Sequence, residues 1–517
     1  MGLRQSPYSS RFLGGADAVA RELLYPSYWL LSQLLALQQT TAEKQEHRSQ
    51  ACPPPHALRV LAKGPLLLLL LVFYLPFCLL GLLLWLPLQA ARRPFAYQHT
   101  PSQASPEEWV LPGKGKAFHF VSANVCLLPD GLAKFSNLAQ TQRRAAQIGQ
   151  ALGRAAGQAT PSHERSSRGG VCNGTGGQKY GAMESSPPRA CRSYPAADGD
   201  VAIEGPLWEG KATPPWEITA SFPPGMDFLC LQEVFDRDAT ARLLRLLGPY
   251  FEHIIHDVGT CGLLGHATLK LLNSGLFLAS RYPVLAVQYH CYPNGRGEDA
   301  FASKGLLCAQ VQLGASQGQR IVGYLNCTHL HAPETDAQIR CDQLTLALRW
   351  AQEFQDTHAQ PGDVVAFDIL CGDLNFDNCS PDDHLEQAHD IFSLYKDPCR
   401  IGPGQDKPWA LGTLMNYLEI YDEAVATPET MKRTLEHAEG RQKYLAGPIQ
   451  GKACPDLSAS TSEGRRIDYI LYREHQGPAQ LKTVVERVSF ITQLATCSDH
   501  MPVGLRLLVA PEAQPGA

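Results

Sequence analysis

With 517 residues, 44% hydrophobic and 18% charged, the chain has room for one large or two to three ordinary domains and a sizeable core. A formal charge of −5 gives no global attraction for nucleic acid, which argues against a nuclease and leaves only a local basic patch open. The 16 cysteines lack CxxC pairs or regular spacing, so they read mostly as reduced thiols and not as a small disulfide scaffold.

The chain opens with MGLRQS, which fits N-myristoylation through Gly2 and Ser6. Arg4, Arg11 and Arg21, with Asp17 the lone acid among the first twenty residues, equally fit a mitochondrial transit-like segment or a basic membrane flank. Two hydrophobic segments follow, at about 22–38 and 65–88. The second is almost wholly apolar, long enough for a hydrocarbon core, and too long and too far from Met1 for a signal peptide. Residues 1–93 are therefore expected to anchor the chain in a membrane, either by two spans or by a re-entrant pair kinked at Pro26 and Pro76. The Arg-rich start favours mitochondrial or endoplasmic reticulum membranes over Golgi or plasma membrane.

Pro, Gly, Ser and Lys make 94–116 a linker, and 117–510 the folded catalytic region, with 511–517 a tail. KAFHFVSANVCLLPD predicts a strand delivering Asn124 near its end. Residues 155–215 are rich in Gly, Ser, Pro, Thr and Arg without apolar periodicity and are expected to be a disordered insertion. MDFLCLQEVFDRDATARLLRLL predicts a strand then a helix, with Glu233 at the junction; a helix-capping or surface Glu is the ordinary alternative. Lys304, in a loop with Asp299, either approaches phosphate, pairs with Asp299, or is a solvated charge.

IVGYLNCTHLHAPE is a strand leading to His329 and His331, with no Cys or carboxylate to complete a zinc motif, so a phosphate-facing histidine fits better. A helix follows, with Ile339, Leu344, Leu348 and Phe354 as its packing stripe. VVAFDILCGDLNFDN is a buried strand ending at Asp373 and Asn375, which share a face at i, i+2 spacing unless they form a simple turn. GRRIDYILYRE and the chain's last strand pair present Asp468 and then Asp499-His500. The sequons at Asn326 and Asn378 adjoin these residues, so a cytosol-facing catalytic region is expected; a third lies at Asn173.

Asn124, Glu233, His329, Asp373, Asn375, Asp468, Asp499 and His500 thus gather at predicted strand ends. Oxygen donors and imidazoles without a nucleophile elbow or P-loop point to metal-assisted attack by water, with Mg²⁺ as the ion and Mn²⁺ its alternative. One carboxylate suffices for Mg²⁺, so Glu233, helped by Asn124, is the metal candidate. His500 suits the general base because its ordinary pKa of about 6.5 lies near neutrality. His329 and Asn375 are candidate donors to the developing phosphate charge.

LQEVF, SRYP, THLHAP, GDLNFDN, RRIDY and SDHMPV, in this order, resemble the DNase I-like endonuclease/exonuclease/phosphatase superfamily over roughly 115–510. That resemblance implies an α/β four-layer sandwich of two mixed sheets with outer helices. It carries Mg²⁺ ligation to Glu233 with Asn124 beside it, the phosphate-site pair to Asp373 and Asn375, and the catalytic histidine to His500. Asp468 becomes its carboxylate partner, Asp499 lies nearby, and His329 is the second active-site histidine. The hydrophobic pair, ARRPFAY, ANVCLLPDGLAKFSN and YHCYPN are similar to the membrane-bound neutral sphingomyelinases. The resemblance implies hydrolysis of membrane sphingomyelin to ceramide and phosphocholine, with anionic phospholipid as activator and Asp299 and Lys304 on a loop that gates the site. An inositol-phosphate phosphatase or an endonuclease of the same superfamily is the alternative, and a non-catalytic membrane scaffold the other class.

Overall fold

The computed structural model describes residues 3–49, 56–101, 106–111, 114–158, 215–264, 268–316, 318–449, 463–474 and 481–511. One compact unit comprises 1–159 and 215–517. The expected insertion, with the sequon at Asn173, lies outside the described residues except at its edges, where a helix ends at Gly157 and Pro215 precedes a strand.

Two mixed sheets pack face to face. The first has eight strands in the order Ala96–His99, His253–His256, Phe277–Ser280, Phe228–Val234, Lys116–Leu127, Val503–Pro511, Leu481–Ile491 and Trp216–Thr219. The second runs Val284–Cys291, Gly305–Ser316, Gln319–His329, Val364–Asp373 and Asp468–Arg473, with Trp109–Val110 beside Gly305–Ser316. Between them Phe118, Phe120 and Phe228 of the first sheet meet Phe367 of the second, with centroids 5.2, 4.9 and 5.4 Å apart. Aromatic burial of this kind contributes about 1.5–3 kcal/mol per side chain.

Outer helices complete four layers. Thr141–Gly157 and Arg237–Leu247 cover the first sheet through Ile148, Leu152, Leu243 and Leu247. Ala337–His358 covers the second through Leu344, Ala351 and Phe354, as its periodicity predicts. The expected α/β sandwich is what the chain forms.

The linker expectation for 94–116 needs correction, because Ala96–His99 pairs antiparallel with His253–His256 and Trp109–Val110 pairs parallel with Gly314 and Ala315. Trp109 is buried against Phe118, with centroids 5.8 Å apart. Strands of four and two residues are too short to display a period, so composition alone suggested a linker.

At the N-terminus α1 (Arg11–Leu35) and α2 (Thr41–Ser49) precede α3 (His56–Ala90). Neither Pro26 nor Pro65, Pro76 and Pro87 ends its helix. Among the described residues α3 alone is long and apolar enough to cross a membrane, whereas α1, holding the first hydrophobic segment, is not. The two helices pack along each other, Gly81 of α3 lying against Leu23 and Leu24. Arg92, just past α3, fastens this region to the sheets by donating to the carbonyls of Gly259 (2.7 Å) and Asp257 (2.8 Å) and pairing with the Asp257 carboxylate at 2.6 Å.

Candidate active site

Strand register assembles the site. In the second sheet His329 is paired with Asp373, and Asp373 with Asp468, so three adjacent strand ends hold one row. Gly372 makes this row feasible: at φ +145° it lies so close to the Thr328 carbonyl that a Cβ would collide with it. From the first sheet Asn124 reaches across, its Nδ2 donating to Glu233 Oε1 at 2.9 Å and to Asp373 Oδ2 at 3.0 Å. Its side-chain Oδ1 accepts from Cys126 N at 3.1 Å, so Asn124 aligns the two carboxylates here.

His500 Nδ1 lies 2.8 Å from Asp468 Oδ2, and His500 Nε2 lies 3.9 Å from Asp373 Oδ2. His329 Nε2 is 3.5 Å from the same Asp373 oxygen. Asp499 Oδ1 and Asp468 Oδ1 are buried without a partner among the described residues. The oxygens and nitrogens of Glu233, His329 and Asp373, and of Asp373, Asp468 and His500, form two overlapping clusters, each within 4.8 Å.

Desolvation, reinforced by the charge of Asp499, pushes the Glu233 carboxyl up to about 7. Desolvation likewise raises Asp373 to about 6, with His500 opposing it. Burial disfavours charge on His500, yet Asp468 and Asp373 outweigh it and raise its proton affinity well above the ordinary imidazole range. His329 goes the other way, since burial and then Lys304 hold it neutral. These are converging acids around two unlike imidazoles, the setting of proton transfer and of a hard cation.

Two expectations change in detail. Asn375 does not continue the extended chain beside Asp373: its backbone is left-handed at φ +54°, and its Nδ2 donates to Leu330 O at 3.0 Å. His331 leaves the strand and turns to the loop, its Nε2 2.8 Å from Asp336 and its Nδ1 3.2 Å from Asp299. Lys304 is buried and locks onto Asp299 at 2.9 Å while donating to Leu330 O at 3.0 Å. Asp299 also accepts from Ala332 N at 2.7 Å. The pair and Asn375 thus meet at one carbonyl.

Thr413 escaped the sequence reading, and Ser498 had no role in it. Thr413 Oγ1 accepts from the amides of Ile467 (3.0 Å) and Asp468 (3.1 Å), setting Asp468. Ser498 Oγ donates to Asn124 O at 2.7 Å and accepts from His500 N at 3.1 Å, tying the loop that carries His500 to the strand that carries Asn124. Thr413 sits in a polar loop with no motif of its own, whereas Ser498 was visible as the first residue of SDHMPV.

Comparison with known proteins finds two family models along the chain. Residues 12–91 match the neutral sphingomyelinase N-terminal transmembrane region, and 210–500 match the endonuclease/exonuclease/phosphatase family. Sphingomyelin phosphodiesterase 5 of Danio rerio is 41% identical, with 99% of this chain and 100% of the relative covered. Sphingomyelin phosphodiesterase 3 of Homo sapiens is 37% identical, covering 99% of both chains. A crystal structure of Staphylococcus aureus beta toxin with bound magnesium ions is 15% identical over 75% of this chain and 99% of that one, with a TM-score of 0.38.

Proposed function

The chain belongs to the neutral sphingomyelinase family, and from that premise we propose that it is a membrane-anchored, Mg²⁺-dependent phosphodiesterase hydrolysing sphingomyelin to ceramide and phosphocholine. The observation that carries the reading is the joining of a membrane helix to a site where Glu233, Asn124, Asp373, His329 and the Asp468–His500 pair converge. An anchored hydrolase with such a site meets its phosphodiester at the membrane surface.

The residues fit a hard cation. Glu233, raised by desolvation and by the charge of Asp499, shares a cluster within 4.8 Å with Asp373 and His329, and Asp499 Oδ1 has no partner among the described residues, a concentration of negative charge that oxygen-bound Mg²⁺ would relieve. Glu233 would hold the ion with Asn124 adjoining, and Mn²⁺ is expected to substitute. When bound, Mg²⁺ offsets negative charge on the phosphodiester.

His500 takes the proton of the attacking water through Nε2, while Asp468 fixes its tautomer and steadies the imidazolium. The water oxygen forms the new bond to phosphorus; the ceramide oxygen departs with the P–O electron pair and takes a proton from solvent, to which His500 returns the one it accepted. His329, neutral, and Asn375 donate to the phosphoryl oxygens, Asn375 after releasing Leu330 O. Asp299 and Lys304 gate the site, since drawing the buried Lys304 away from Asp299 would also release the carbonyl it shares with Asn375. Anionic phospholipid is the proposed activator. Mitochondrial or endoplasmic reticulum membranes are the proposed location, on the strength of Arg4, Arg11 and Arg21.

The test is full-length protein with choline-labelled sphingomyelin in mixed micelles, with Mg²⁺ or a chelator, beside His500→Ala. Phosphocholine released only with metal and His500 supports the proposal. No release with any anionic lipid by folded protein defeats it, and phosphate from inositol phosphates or nicking of plasmid would name the replacement.

A further inference from the structure

A groove of about 500 Å³ adjoins the site, lined by Asp499 and Arg465 together with Phe135, Tyr417, Glu334 and Met415. Asp499 precedes His500 in the chain, so one wall of the groove is continuous with the segment that carries the catalytic histidine. Its volume falls in the range that holds a small ligand or lipid headgroup.

Arg465 is 6% exposed, and Glu334 holds one end of its guanidinium through Nη1 at 2.5 Å. Its Nε is buried without a partner among the described residues. A buried guanidinium donor calls for an acceptor, and a planar fork beside the site matches the oxygens of a phosphate. Phe135 and Tyr417 contrast with it, large aromatic side chains left 62% and 48% exposed. Aromatic faces with a carboxylate nearby, here Glu334, attract a quaternary ammonium.

The aromatic segments are fastened to the membrane-anchoring region. Asn137 Nδ2 donates to Tyr417 O at 2.7 Å and Asn137 Oδ1 accepts from Thr41 N at 2.7 Å. Lys134, next to Phe135, donates to the carbonyls of Ala36 (2.9 Å) and Gln38 (2.8 Å), which join α1 to α2. A headgroup arriving from the lipid surface would therefore meet Phe135 and Tyr417 at the side bearing the anchor, which favours a lipid headgroup as occupant.

We propose that this groove is the headgroup subsite: Arg465 donates to the phosphate oxygens, and Tyr417 with Phe135 encloses the trimethylammonium of choline. This rests on the sphingomyelinase reading and adds a basis for choline specificity to it.

The experiment compares sphingomyelin with its phosphoethanolamine analogue in mixed micelles, using full-length wild type, Tyr417→Ala, Tyr417→Phe and Arg465→Lys. Phosphocholine, phosphoethanolamine and inorganic phosphate serve as competing ligands. Wild type should prefer choline. Tyr417→Ala should lower kcat/KM for sphingomyelin about tenfold, mainly through KM, bring the choline preference towards unity, and weaken inhibition by phosphocholine but not by phosphoethanolamine. Tyr417→Phe, which keeps the ring, should keep the preference. Arg465→Lys, which keeps the charge but not the fork, should weaken inhibition by all three phosphates, an effect that a purely structural pair with Glu334 would not produce. An unchanged choline preference in folded Tyr417→Ala, or unchanged phosphate inhibition in Arg465→Lys, overturns the subsite. A wild type that releases no phosphocholine overturns the underlying reading instead.

Discussion

Replacing Asp468 by Asn removes one charge while keeping the shape of the site. The carboxylate is buried, lies 2.8 Å from His500 Nδ1, and is positioned by Thr413 through its own backbone amide. A hydrogen bond to a charged group contributes about 1.5–3 kcal/mol, which at about 1.4 kcal/mol per decade sets a loss of roughly ten- to a hundredfold. A carboxamide can also donate to Nδ1 and trap the wrong tautomer, a change that costs about 10⁴ in a Ser-His-Asp triad. We expect kcat to fall by a factor between about 10 and 10⁴, with KM nearly unchanged. The pH profile supplies the sign. Burial lowers the proton affinity of His500, Asp468 and Asp373 raise it, and the sum is upward. Without Asp468 that affinity drops, so the acid limb of kcat/KM moves to lower pH. Initial rates across pH in sphingomyelin micelles, with thermal melts to verify folding, decide the matter. A kcat within about threefold of wild type, or an acid limb moving to higher pH, would refute the assigned role of Asp468.

Asp299 is held well below the ordinary carboxylate range, because Lys304 and hydrogen bonds from His331 and Ala332 outweigh its burial. Its stabilisation is therefore present above about pH 3.9 and lost as pH falls through the folded value, so the advantage of wild type over Asp299→Asn in urea midpoint should hold at pH 7 and 5 and shrink at pH 3; a constant gap would contradict the linkage. Mg²⁺ at about a hundred times its Kd should stabilise wild type by about 2.7 kcal/mol, and Glu233→Gln should lose that gain in a thermal-shift titration; equal shifts would remove Glu233 from the metal site. Arg340 is wholly buried, 2.7 Å from Glu386 and 3.4 Å from Asp383. Arg340→Met strands both acids and should cost about 3–5 kcal/mol in urea unfolding; an unchanged midpoint would refute that pairing.

Much of this was legible from strand ends. A buried run that stops at polar residues marks where a sheet delivers side chains, so Asp373 and His329 could be named before their common register with Asp468, which opens its strand, was known. The helix after His331 was legible because Leu344 and Phe354 repeat at its period. Thr413 was not, since it acts through hydrogen bonds to backbone amides of a distant strand, which no local pattern records. Ala96–His99 and Trp109–Val110 were hidden for a different reason: edge pairing is decided by the partner strand, not by their own composition. Asp299 and Lys304 could be named as a pair, but not their shared dependence on Leu330 O with Asn375.

Glu233 shows why local pattern and site geometry part company. Asn124 is in register with Gln232, and Phe228 and Cys230 on the same strand face the second sheet. Leu229 and Leu231 face the covering helices. By alternation Glu233 belongs with those leucines, on the face away from Asp373. Its backbone instead turns left-handed at φ +60°, and this brings its carboxylate to the Asn124 amide. Cys126 at φ +44° stands within the register shift of the adjoining strand, and Asn375 at φ +54° follows Asp373. Each such residue costs about 1–3 kcal/mol, so the fold must hold it there through its surroundings. Gly275 is one such surrounding: a Cβ on it would lie 2.9 Å from Glu233 Cα. A regular pair of strands would carry the same residues and present Glu233 to the wrong side. The departures from regular strand geometry are therefore what convert two sheet ends into one site.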